Sequence, residues 1–210
     1  MAAIEFYYDP ICPFCWITSR WLLQVSAERT INITWRQFSL ALKNDELAPR
    51  GDESEHALSH RDSHRIHRVI RQATSQQLAS SIDLYSTFGT RHHLEKRPYD
   101  DELIQEVLAA HHLPVELLQA ANDTSIDTRL MRELDAALDA AGTDIGVPVI
   151  VFTDKNNKRL GYFGPVLNEL PDSLDESLAI WDGLEQLATT SSFYEIKRTR
   201  SGYPIVDSTA

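Results

Sequence analysis

The chain holds two cysteines, Cys12 and Cys15, inside the stretch "YYDPICPFCWIT". Two thiols three residues apart, where a strand gives way to a helix, have the spacing of a redox dithiol. If Cys12 caps the helix, the unpaired backbone N–H groups and the helix dipole favour its thiolate. Cys15 then lies one turn further in, on the same face and within disulfide reach, but shielded by the helix. This asymmetry predicts Cys12 as the attacking thiol and Cys15 as the resolving one, working through a mixed disulfide with the substrate. Between them, Pro13 removes an amide donor, and Pro13 and Phe14 limit motion between the sulfurs. Two other readings stay open: unrelated small buried residues, or a metal site. Structural zinc needs four ligands, and with no second Cys pair those would have to be borrowed histidines. A second element favours redox. Gly146-Val147-Pro148-Val149 opens a later strand with a proline, a candidate cis peptide that would expose Val147 and Pro148 backbone groups to an extended thiol substrate. A plain edge-strand proline is its alternative.

These residues need elements to position them. Ile4 to Tyr8 reads as a strand closed by the Asp9-Pro10 turn. Beyond Pro13, which suits a first helical turn, Trp16, Ile17, Trp21, Leu22 and Val25 recur at helical spacing. Ile31 to Phe38 alternates as a second strand, so the first 40 residues predict strand, helix, strand. From about 43 to 142 the patterns are helical, over roughly 54–80, 81–89, 100–111, 114–121 and 124–141, with acidic Asp100-Asp101-Glu102 at one start and Gly142 at one end. Strand signals return at Val147–Phe152; a polar turn from Asp154 to Lys158 leads to a hairpin partner at Arg159–Phe163. Asp172 or Ser173 caps a last helix through Leu187. The predicted fold is α/β: a core from residues 1–42 and 143–210, interrupted by an all-helical insertion, 43–142.

Composition narrows the partners. With 210 residues and 42% hydrophobic content the chain can bury a sizeable core. A net charge of −11 disfavours nucleic acid or an anionic membrane, despite the local basic run Lys197-Arg198-Thr199-Arg200. No apolar run of spanning length occurs, and the N-terminus lacks the basic and apolar regions of a secretion signal, which predicts a cytoplasmic location. A reducing compartment favours a catalytic or metal-binding Cys pair over a structural staple. His56, His60, His64 and His67 form one helix stripe, expected to be a solvated face rather than a metal site. "GTDIG" lacks the context of a phosphate loop, and no flavin or nicotinamide fingerprint occurs, so electrons are expected to arrive through thiols. Trp16, Trp21 and Phe163, with Gly164-Pro165, are expected in the core and the wall of an active-site cleft.

Strand, C-P-F-C, helix and strand, then a helical insertion and "GVP" opening a hairpin, resembles the plan of DsbA-like thioredoxin-fold proteins. "DPICPFCWITSRWLL", "FSLA", "YFGPVLNELP" and "FYEIKRTR" are similar to the actinobacterial mycothiol-dependent reductase and nitroreductase branch, with FrnE-like relatives. The resemblance implies a thioredoxin-like core (βαβ then ββα) and a cytoplasmic thiol–disulfide oxidoreductase with Cys12 nucleophilic, Cys15 resolving and Pro148 cis. It implies no bound cofactor and no metal, a disulfide-containing or small electrophilic substrate, and mycothiol or a similar low-molecular-weight thiol as co-substrate. "FGTRHH" resembles a family block and makes His93 an active-site contact, beside Val147, Pro148, Phe14 and Trp16. Where that branch often has Trp between the cysteines, this chain has Phe14. The alternative is a kappa-class glutathione-transferase-like or hydroxychromene-carboxylate-isomerase-like enzyme, which activates a bound thiol with a Ser at the position of Cys12 and needs no resolving Cys.

Overall fold

A computed structural model describes residues 2–47, 54–154, 156–200 and 202–206. Residues 48–53, inside the predicted insertion, and Lys155, in the predicted polar turn, lie outside the described residues. The chain forms two compact units: residues 1–7, 12–34 and 137–210 make the first, and residues 8–11 and 35–136 the second.

The first unit is built on a four-stranded sheet. Its strands are β1 (Ala2–Tyr8), β2 (Ile31–Gln37), β3 (Val149–Thr153) and β4 (Arg159–Phe163), in the order β2-β1-β3-β4. β3 runs antiparallel to β1, pairing Phe6 with Ile150, and antiparallel to β4, pairing Val151 with Gly161. The apolar spacing read after Pro13 folds as helix α1 (Pro13–Glu28), whose Trp16, Ile17, Trp21, Leu22 and Val25 are all buried. The late C-terminal helix (Leu174–Ala188), named α7 below, is capped by Ser173, which accepts the Glu176 amide. Its Trp181 ring lies 6.1 Å from Trp21 and 5.9 Å from Phe152, and the Trp21 indole donates to the Ser177 carbonyl at 3.1 Å. One aromatic cluster thus joins α1, β3 and α7. Gly161 is forced by close approach: a Cβ there would lie 2.7 Å from the Ala140 backbone.

The second unit is helical: α2 (Leu40–Lys43), α3 (Glu55–Ser75), α4 (Ser81–Gly89), α5 (Asp101–Ala110) and most of α6 (Asp127–Ala141). Caps explain the starts. Ser54 accepts from Ala57, Ser80 from Asp83 and Asp100 from Leu103. The helix expected over 54–80 stops at Ser75, because Gln77 turns to a φ of +57° and the Leu78 amide bonds back to Ala73. Thr90–Leu94, read only as the end of a block, widens into a π-helical segment, and Val115–Asn122 is 3-10 rather than α. β3 starts at Val149 instead of Val147, since the two preceding residues make no ladder pair.

Two further expectations fail. His60, His64 and His67 are buried, not solvated, because their ring nitrogens find partners from elsewhere in the sequence; only His56 of the stripe is exposed. Of the aromatics expected in the core or cleft wall, Trp16 and Trp21 are buried and Phe163 is 43% exposed, at the surface rather than in the core. Trp181→Ala should remove the shared aromatic of α1, β3 and α7 and cost about 3–5 kcal/mol of stability, read as a lowered urea midpoint.

Candidate active site

Cys12 is the N-cap of α1, with extended backbone (φ −78°, ψ 113°), Pro13 at the first helical position and the Trp16 amide bonding to its carbonyl at 3.1 Å. Asp9-Pro10 ends the strand and α1 begins after it, so the first thiol falls on the junction. Cys12 is buried but for 8% of its surface, and Cys15, one turn on, has none exposed. The Cys12 side chain makes no cap hydrogen bond; its Sγ instead lies 3.7 Å from the Val147 carbonyl oxygen, which a thiol can donate to. The helix start favours the thiolate and the carbonyl favours the thiol, so the two opposing influences meet at one sulfur.

Val147 is joined to Pro148 by a cis peptide bond. The Pro148 carbonyl accepts the Gly164 amide at 2.8 Å, and Gly164-Pro165 is also cis. The Pro165 carbonyl in turn accepts the Thr18 hydroxyl at 2.9 Å, tying this loop back to α1. Cys12, Cys15, Val147 and Pro148 are thus brought together in the first unit. Phe14 is half-buried, with the Arg200 guanidinium 5.2 Å over its ring. Trp16 is buried, and Arg20 lies 4.2 Å over it, so Trp16 is an inner residue of α1 rather than a surface contact.

His93 belongs to the second unit. It is buried at the π-helical turn, and its Nε2 donates to the Pro10 carbonyl at 2.8 Å, to which the Tyr99 hydroxyl also donates at 2.9 Å. Its role there is to hold the segment that precedes Cys12 in the chain. Asp9 does the same from the other side. Its Oδ1 accepts the Ile11 amide at 3.1 Å and the Ser63 hydroxyl, and its Oδ2 accepts the Leu40 amide at 2.7 Å with His67 Nε2 3.4 Å away. Burial alone would raise the Asp9 pKa, but His67, the Leu40 amide and Ser63 outweigh it and hold the carboxyl below its usual range. Gln37 fixes the His67 ring by donating to its Nδ1 and to its backbone carbonyl.

His64 extends this network. Its Nδ1 accepts from Ser39 at 2.8 Å and its Nε2 donates to Asp127 at 2.9 Å, with Arg68 gripping the same carboxylate. Burial, then His67 and Arg68, push the His64 pKa down from 6.5 to about 4, so its contact with Asp127 is a hydrogen bond from a neutral ring, not an ion pair. Asp9, Ser63, Tyr99 and the buried histidines were missed or misread in the sequence. The signal was partial: the four-four-three His spacing marked one face, but its acids lie far off in sequence.

A sheet ordered β2-β1-β3-β4, with a C-x-x-C at the start of α1 and a cis-proline ahead of β3, has the plan of a DsbA-like thioredoxin fold. Solved structures share this fold. A probable DsbA oxidoreductase from Streptomyces coelicolor matches with a TM-score of 0.58 at 17% identity, over 99% of this chain and 95% of the other. The cytosolic disulfide reductase DsbM from Pseudomonas aeruginosa, solved with GSH, matches with a TM-score of 0.56 at 13% identity, over 88% of this chain and all of the other. Residues 11–198 match the model of the Rv2466c-like family, described as mycothiol-dependent nitroreductase Rv2466c, and the chain belongs to that family. It is also 30% identical to the uncharacterized protein Rv2286c of Mycobacterium tuberculosis, over 96% of this chain and 84% of the relative. Among the described residues no helix is long and apolar enough to cross a membrane.

The buried His64 sets a pH dependence. Unfolded, it protonates near 6.5; folded, only near about 4, so the unfolded state binds the extra proton between these values. Stability should therefore fall by about 2–3 kcal/mol as pH drops through that window, and the low-titrating Asp9 should extend the loss at the acid end. In His64→Gln the decline between pH 6.5 and about 4.5 should flatten, as measured by urea unfolding at stepped pH.

Proposed function

We propose that the chain is a cytoplasmic thiol–disulfide oxidoreductase with Cys12 as nucleophile and Cys15 as resolving thiol, reduced in turn by mycothiol or a similar low-molecular-weight thiol. The observation that carries this reading is the position of Cys12: the N-cap of α1, slightly exposed, with fully buried Cys15 one turn on and the Val147 carbonyl before a cis-proline at 3.7 Å. Membership of a family described as mycothiol-dependent supports the choice of small thiol.

In the forward direction the Cys12 thiolate attacks one sulfur of a substrate disulfide. The Cys12–substrate S–S bond forms, and the other substrate sulfur leaves as a thiolate that takes up a proton. Cys15, deprotonated, then attacks the Cys12 Sγ and releases the second substrate thiol. The substrate has gained two electrons and the protein holds a Cys12–Cys15 disulfide. Two molecules of a low-molecular-weight thiol reverse this, one forming a mixed disulfide with Cys12 and the second displacing it as a small-molecule disulfide. The Val147 carbonyl and the backbone about Pro148 offer an edge to which an extended substrate backbone can pair while its sulfur meets Cys12.

Cys15→Ser should trap the mixed disulfide, seen as a chain carrying one added small thiol by intact-mass measurement, with turnover reduced at least about 100-fold; Cys12→Ser should show neither adduct nor turnover. Unchanged turnover in Cys15→Ser would instead favour the transferase or isomerase alternative, in which no resolving thiol is needed.

A further inference from the structure

The basic run near the C-terminus stands apart in an acidic chain, and one member of it lies over the Phe14 ring between the two cysteines in sequence. The segment after α7 is tied to the first unit at two places. Tyr162 of β4 donates its hydroxyl to the Ala188 carbonyl at 3.0 Å and to that of Phe193 at 3.3 Å, and stacks on the Phe193 ring at 6.0 Å. Further on, the Ile205 amide donates to the Asn168 carbonyl at 2.7 Å, a few residues beyond cis Pro165. Between these anchors Arg200 reaches Phe14, the residue between the cysteines, with its guanidinium 5.2 Å over the ring. Arg200 is exposed, and its guanidinium makes a cation–π contact with Phe14. Among the described residues no carboxylate pairs with it.

We infer that Arg200, laid over Phe14 by the C-terminal segment, is an anion subsite at the mouth of the dithiol, so that the preferred substrates carry a carboxylate or similar anion close to the reacting sulfur or electrophilic carbon. This rests on the proposed role of Cys12 as nucleophile and names the substrate class. The physical case is one of contrast. With a net charge of −11 the protein repels anions at long range, so a guanidinium over Phe14 adds local positive charge against that background, as Arg20 does over Trp16. A planar fork held by stacking recognises a carboxylate with two N–H bonds, which a lysine cannot do.

Alkylation of the reduced, full-length protein with iodoacetate and with iodoacetamide tests this directly. In both reactions the Cys12 thiolate forms an S–CH2 bond and iodide leaves; the reagents differ in charge. The ratio of iodoacetate to iodoacetamide rates should fall about three- to tenfold in Arg200→Ala at low salt, and less than about twofold in Arg198→Ala, which removes the same charge from the same run. Arg200→Lys should keep part of the ratio, and added salt should lower it in the wild type but not in Arg200→Ala. An unchanged ratio in Arg200→Ala, an equal fall in Arg198→Ala, or a parallel loss with both reagents would overturn the subsite. The nucleophile is tested separately by the wild-type iodoacetamide rate: a rate no faster than that of an ordinary thiol contradicts the role of Cys12 and leaves the charge ratio as its own result.

Discussion

The site depends on how the first turn of α1 begins. Four backbone N–H groups at a helix start need partners, and this helix begins on Cys12-Pro13, a thiol followed by a residue with no N–H. One of the unmatched donors is thereby removed, and the field of the rest falls on a sulfur whose own side chain bonds to none of them. The Val147 carbonyl oxygen lies 3.7 Å from the same sulfur, where it can accept from a thiol. A helix start favours a thiolate and a carbonyl acceptor favours a thiol, so the two act on this sulfur in opposite directions.

Each unit braces the part of the chain about that junction that it contains. In the first unit, the pairing of Tyr7 with Val149 sets the end of the strand before Cys12 against the start of the strand after Pro148, and the Thr18–Pro165 bond closes the neighbouring loop on α1. In the second unit, two polar groups of the short segment before Cys12 are held: the Pro10 carbonyl by His93 and Tyr99, the Ile11 amide by Asp9 and Ser63. A buried carboxylate such as Asp9 is costly unless several donors surround it, and the Leu40 amide, Ser63 and His67 supply them.

What could be read in the sequence was the local part. The Cys spacing, the helical period after Pro13, the strands at 4–8 and 159–163 and the Ser173 cap each depend on residues within a few positions of one another, and each appears in the structure. The long-range part could not be read. Whether His67 faces water or Asp9 is decided by residues 58 positions apart, and a stripe of histidines flanked by arginines looks solvated until its acids are placed. His93 shows the middle case: family resemblance marked the residue, and the structure gives it a backbone acceptor two residues ahead of Cys12 in the chain. The π-helical turn at Thr90–Leu94 has no sequence period of its own, so its widening was invisible.

The central claim is that Cys12 and Cys15 form a reversible two-electron couple. Equilibrating the full-length protein in mixtures of mycothiol and its disulfide, and then counting Cys12–Cys15 disulfide by acid quench and thiol labelling, measures this directly. The account predicts one smooth two-electron transition, the same from the oxidised and the reduced side, and absent in Cys15→Ser. Two thiols that stay reduced across the whole range, or an oxidation that the small thiol cannot reverse, would contradict it.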